Sequence, residues 1–194
     1  MEKDQIIILE NRGLISITGN DAKEYLQNIV TNDINKVSKT NSLFSALLSP
    51  QGKYLYEFFI IKSEIGYLLE CDGEFVKEIL SLLDFYKLSS NIKISDISSK
   101  HVVGIIHEEK FKDIQLNEKS EDNTIIYRDS PIFLDPRNNK LGARILSSLE
   151  KLYLTIKKLD LKIGSHKSYY DLAFNQGVPI KGLSLSKNKL FGLE

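Results

Sequence analysis

The 194-residue chain, 42% hydrophobic and 27% charged, can hold one large domain or two small ones and has the composition of a soluble globular protein rather than a disordered one. Its 26 basic and 26 acidic side chains cancel, so no long-range field draws it to nucleic acid or an anionic membrane, and no apolar run approaches the ~20 residues of a membrane span. A single cysteine, Cys71, rules out an internal disulfide and a C-x-x-C site, and argues against an iron–sulfur cluster held by this chain alone.

Gln5–Leu9 and Leu14–Thr18 are short β-branched runs parted by Asn11-Arg12-Gly13, which reads as a tight turn. Gly19-Asn20-Asp21 opens a helix, with Asn20 or Asp21 as N-cap. Ala22, Tyr25, Leu26, Ile29 and Val30 form its apolar face. Leu43–Leu48 and Tyr54–Ile61 are strands on either side of the Ser49-Pro50-Gln51-Gly52-Lys53 turn, and Tyr67–Cys71 is a third. Phe75, Ile79, Leu82, Leu83 and Tyr86 mark a second amphipathic helix, and Ile92–Ile97 a further strand.

The second half repeats the scheme. Val102–Ile106, Thr124–Tyr127, Ile132–Leu134 and Ala143–Leu146 are strand candidates, and Leu116–Asn123 reads as a polar surface loop. Leu146, Leu149, Leu152, Tyr153 and Ile156 give a helical stripe. Ser165 caps a final helix that runs through Gln176 and closes at Gly177. Lys181–Glu194 has no period and is expected to be an irregular C-terminal tail. The element order predicts an α+β fold rather than alternating parallel units. Met1-Glu2-Lys3-Asp4-Gln5 has neither the basic start and apolar core of a signal peptide nor the Arg-rich pattern of a transit peptide, so a cytosolic (cytoplasmic) protein is expected.

Glu57 is the chief chemical anomaly. With side chains alternating along Tyr54–Ile61, one face carries Leu55, Glu57, Phe59 and Ile61, the other Tyr54, Tyr56, Phe58 and Ile60. A carboxylate in a strand apolar on both faces must be paired, hydrogen-bonded or neutralised, and it suits an amide- or amidine-like edge such as that of a pterin. The alternative is an edge strand whose Glu57 meets solvent or a lysine. Thr31-Asn32-Asp33 has two readings as well: a structural turn of short polar side chains, or a place where Asn32 and Asp33 line a cleft. Cys71 reads as a small core residue. His101, His107 and His166 lack metal-ligand spacing, and no metal site is expected. Arg137 and Arg144 are available for a polyanionic tail, but Asp135-Pro136-Arg137 reads more simply as a turn with a local ion pair.

These residues resemble those of the YgfZ-type folate-binding proteins, within the glycine-cleavage T-protein (aminomethyltransferase) superfamily. Gly19-Asn20-Asp21-Ala22, Tyr25-Leu26-Gln27 and Thr31-Asn32-Asp33 are similar to its Gly-x-Asp-Ala, Phe-Leu-Gln and Thr-Asn-Asp. Gln51–Glu57 aligns with its Gly-Gly-x-Ile-Asp-Asp turn and strand. Tyr170–Pro179 looks like the run that leads into the YgfZ-type active motif, and Leu68–Asp72, Asp135-Pro136-Arg137 with Leu141-Gly142-Ala143-Arg144, and Gly177-Val178-Pro179 are especially like the family's mitochondrial iron–sulfur assembly member. The resemblance implies two related, interleaved antiparallel-sheet-plus-helix subdomains spanning 1–194, breaking near residue 98. The C-terminal β-barrel and the Lys-Gly-Cys-Tyr motif lie beyond Glu194 in the family's pattern.

As function it implies a tetrahydrofolate-binding factor supporting iron–sulfur cluster assembly or repair, with iron–sulfur assembly proteins or client enzymes as partners. Glu57 would contact the pterin, Leu55 and Tyr56 would shape the pocket, and Asn32 and Asp33 would line it. Tyr56 stands where the T-protein has its first acidic residue, which argues against an active aminomethyl transferase and assigns no catalytic residue. Folate-dependent one-carbon transfer and a ligand-free interaction module are the competing readings.

Overall fold

The computed structural model describes residues 1–118 and 122–180. In chain order the elements are β1 (Gln5–Leu9), β2 (Arg12–Thr18), α1 (Ala22–Ile29), β3 (Leu43–Leu48), β4 (Tyr54–Lys62), β5 (Gly66–Asp72), α2 (Val76–Lys87) and β6 (Lys93–Asp96). Then follow β7 (Val102–Ile106), α3 (Glu108–Glu118), β8 (Thr124–Tyr127), β9 (Ser130–Leu134), β10 (Ala143–Ser147), α4 (Leu149–Lys158), β11 (Lys162–Ile163) and α5 (His166–Asn175). The fold is α+β, and two compact units share the chain. The first takes Met1–Glu10, Lys39–Asn41 and Ser99–Ile180; the second takes Asn11–Ser38 and Ser42–Ser98. The tail expected at 181–194 lies outside the described residues.

The first unit is a six-stranded sheet in the order β11-β1-β7-β10-β9-β8, parallel only where β1 meets β11. Ile6, Ile106, Phe111, Ile114, Ile132, Ile145 and Leu152 fill its core between sheet and helices. The second unit is a five-stranded antiparallel sheet in the order β3-β4-β5-β2-β6. Ile15, Ile17, Phe58, Ile60 and Leu69 on one sheet face pack against Tyr25 and Leu26 of α1 and Ile79 and Leu83 of α2. Each fully buried aliphatic or aromatic side chain of this kind contributes roughly 1.5–3 kcal/mol.

Two local expectations are corrected. The turn at Asn11-Arg12-Gly13 is shorter than its composition suggests, because Arg12 and Gly13 already pair with Asp72 and Cys71 in β2. A Cβ on Gly13 would come within 2.1 Å of Val76 Cγ2, so glycine is what lets the start of α2 lie against the strand. The loop expected at Leu116–Asn123 begins instead with the last turn of α3, a helix the sequence reading missed. α3 buries only Phe111 and Ile114, too few residues to show a stripe. His107 stands at its start and accepts the Glu109 backbone N–H at Nδ1, 3.2 Å.

At the other end, α5 follows the reading closely. Ser165 caps it by accepting the Lys167 N–H, and Gly177 at φ +66° closes it with the Val178 N–H returning to the Ala173 carbonyl.

Candidate functional site

The site is built on the face of the second unit's sheet opposite the one that packs against α1 and α2. Residues directly opposite each other on paired strands share a face. Phe59 lies opposite Glu70, Glu70 opposite Leu14, and Glu57 opposite Ala46, so Glu57 and Glu70 belong to one face. Arg12, two residues before Leu14, belongs to it too.

Strict alternation fails at the start of β4. The β3–β4 register shifts between Leu47 and Leu48, which pair with Tyr56 and Tyr54 and leave Leu55 as the extra residue of a bulge. A bulge re-aims the side chains beside it. Tyr54, fully buried, is turned toward Glu57 and donates its hydroxyl to Glu57 Oε2 at 2.7 Å.

Leu55 and Tyr56 pack instead against the helix-side core. The Tyr56 ring lies 5.8 Å from that of Phe75, and its hydroxyl donates to Glu78 of α2. The grouping of Leu55 and Tyr56 with Glu57 as walls of one pocket is therefore corrected: the aromatic companion of Glu57 is Tyr54. Glu57 itself is half-buried, and its Oε1 has no donor among the described residues.

The fully buried carboxylate of this face is Glu70, which sequence reasoning passed over. It is 0% exposed and forms an ion pair with Arg12 Nε, itself only 17% exposed. The signal was present, since Glu70 interrupts Leu68-Leu69-Glu70-Cys71 much as Glu57 interrupts its own strand. Cys71 points the other way, into the helix-side core, where burial pushes its thiol up to about 12 and keeps it protonated and inert.

Asn32 and Asp33 are committed to local structure at the edge beside β3. The Asn32 side chain donates to the Phe44 carbonyl (2.9 Å) and accepts the Asp33 N–H (2.8 Å). Asp33 caps a single 3-10 turn by accepting from the backbone and side chain of Asn35, which holds its carboxyl below the ordinary value. The neighbouring Thr31 hydroxyl accepts the N–H of Ala46, the residue opposite Glu57. The turn is thus fastened one strand away from Glu57, and the bonds just described engage its side chains with backbone and with Asn35.

In the first unit, Asp135 and Arg137 form the local ion pair expected, with Arg137 Nε and a terminal nitrogen donating at 2.9 and 2.7 Å. Arg144 lies 3.7 Å from the same carboxylate and donates to the Tyr169 hydroxyl at 2.6 Å. Burial works to raise the Asp135 carboxyl. The hydrogen bonds and charge of Arg137, with the charge of Arg144, outweigh it and hold the group below its ordinary value. Among the described residues there is no group of three or more potential metal-ligating side chains, and no helix is long and apolar enough to cross a membrane.

No family model matches the chain. Curated proteins similar to it carry the name iron–sulfur cluster assembly factor IBA57, mitochondrial, or homolog of it. The Dictyostelium discoideum protein is 23% identical over 91% of this chain and 50% of its own length. The Pyricularia oryzae protein is 30% identical over 88% and 42%, and the Mus musculus protein 22% identical over 88% and 50%. The chain therefore spans half or less of each of these relatives. Among solved structures, the glycine cleavage system aminomethyltransferase T from Bartonella henselae matches with a TM-score of 0.73 and 13% identity, over 91% of this chain and 52% of that one. The likeness shows the T-protein fold. The relatives' names overturn the cytoplasmic placement expected from sequence and point to the mitochondrion. That expectation rested on the first five residues, whose composition says little about compartment.

Proposed function

We propose that this chain, similar to the mitochondrial iron–sulfur cluster assembly factors named IBA57 and folded like the T-protein, supports iron–sulfur cluster assembly and does so as a tetrahydrofolate-binding protein. The observation that carries the folate part is Glu57: a half-buried carboxylate steadied at one oxygen by Tyr54 and presenting the other without a donor among the described residues. That arrangement fits the N–H edge of a pterin, which offers adjacent donors to a carboxylate. Tyr54 orients the acceptor, and the Arg12–Glu70 pair holds the sheet face beneath it. Asn32 and Asp33 act at the edge of the site, through the turn they hold against β3. The protein's partners are the assembly proteins or client enzymes of the cluster pathway.

Aminomethyl transfer from folate is the second reading, favoured by the fold of the Bartonella protein. The Tyr56 hydroxyl, bound to Glu78 on the helix side, supplies no acid on the face of Glu57 and weighs against it. A ligand-free interaction module is the third reading. Depleting the protein in its own cells and assaying iron–sulfur enzymes separates them. We expect those activities to fall, and to be restored by wild type but not by Glu57→Ala. Unchanged iron–sulfur enzymes would remove the assembly role, and full rescue by Glu57→Ala would remove the site.

A further inference from the structure

Leu88, which follows α2, is held at φ 47° and ψ −123°, a backbone region that favours glycine, while its side chain stays 89% exposed. Phe85, three residues earlier, is 74% exposed, with its ring 5.4 Å from that of Tyr86 in an edge-on contact. A groove of about 460 Å³ opens between this end of α2 and α1, with Asp21, Glu24, Asn28, Ile29, Tyr86 and Leu88 along it. Tyr25 in its wall is immobilised by its hydroxyl, which donates to the Leu83 carbonyl at 2.6 Å.

The groove combines an apolar side with uncompensated negative charge. Two of its lining residues are carboxylates and none is a cation. Asp21 accepts the Asn91 N–H, and Glu24 has no ion pair among the described residues.

We propose that this groove docks an amphipathic, lysine- or arginine-bearing segment of a partner protein, its cations meeting Asp21 and Glu24 and its apolar side chains meeting Ile29, Tyr86 and Leu88. A leucine kept exposed in a glycine conformation contributes contact surface at the expense of backbone strain. The groove involves the helices that cover one face of the sheet, whereas Glu57 and Glu70 are on the other. The inference is thus independent of the folate reading.

The test is fluorescence anisotropy of the full chain with a labelled lysine–leucine amphipathic helical peptide, and with its counterpart carrying glutamate in place of lysine. We expect saturable, salt-weakened binding of the lysine peptide alone, reduced at least about tenfold by Glu24→Lys. Leu88→Gly should weaken binding while raising Tm, so that loss of affinity is not loss of fold. Absence of saturable binding, equal binding of the glutamate peptide, or unchanged affinity in both variants overturns the proposal.

Discussion

Glu57 and Glu70 occupy neighbouring strands of one sheet face, yet their surroundings differ in kind. Glu70 is wholly buried and matched by a guanidinium, Arg12, from the next strand. Glu57 is half-buried and matched by a neutral hydroxyl, Tyr54, which meets one oxygen and leaves the other without a donor among the described residues. A buried, charge-paired carboxylate belongs to the architecture, because removing a cationic partner leaves a buried charge less compensated. A partly solvated carboxylate with spare acceptor capacity costs little to keep and is free to receive a ligand. Under the folate proposal, burial alone therefore does not mark the ligand-facing acid on this face; the identity of the partner does.

The largest expected effect follows from breaking the buried pair. Arg12→Met should cost roughly 3–5 kcal/mol in urea unfolding, and the double variant Arg12→Met/Glu70→Met should recover most of it. A loss well under 1 kcal/mol for the single variant would mean that Glu70 is not held by Arg12. Asp135 of the first unit tests whether the rule extends beyond one sheet. Asp135→Asn should cost roughly 2–4 kcal/mol, less than stranding a charge because the amide oxygen still accepts from Arg137.

Its pH dependence has a definite sign. The folded carboxyl titrates below 3.8, so its contribution is complete above that value and is lost as pH falls through it toward the lower folded value. Acid unfolding of Asp135→Asn should show a shallower slope in that window than wild type. Gly13→Ala probes the packing beside Arg12 and should cost about 1–3 kcal/mol, partly restored by Val76→Ala, which removes the clashing methyl. Smallest of all, Tyr54→Phe should change stability by no more than about 1 kcal/mol, since water can replace the hydroxyl at a half-buried oxygen. Its effect should appear in ligand affinity, and a large stability loss would make Glu57 architectural like Glu70. As a control on the other face, Cys71 should resist alkylation at pH 8 until the chain is unfolded.

Much of the fold was legible because it is written in short-range pattern. The Ala22, Tyr25 and Leu26 stripe of α1, the turn between β3 and β4, and the Ser165 and Gly177 boundaries of α5 all follow from neighbours a few residues apart. α3 escaped because only Phe111 and Ile114 need burial, so charged residues dominate its composition. The site was legible in part. Glu57 stood out as an anomaly, but its neighbours were misassigned because the bulge at Leu55 depends on pairing with β3, which no periodicity within β4 reveals. Glu70 breaks its strand's pattern as clearly, but Arg12 is 58 residues away, and only the β2–β5 register brings them together. Of the two readings of Thr31-Asn32-Asp33, the turn is what the hydrogen bonds display; what its side chains are fastened to was again a matter of tertiary pairing.

The central claim is that Glu57, not Glu70, faces a ligand. Anaerobic calorimetric titration of the chain and of Glu57→Gln with tetrahydrofolate tests it most directly. The account predicts saturable binding by the wild type and at least about a tenfold loss in the variant at unchanged Tm. Equal affinity in the two proteins, or no saturable binding by the folded wild type, would contradict it.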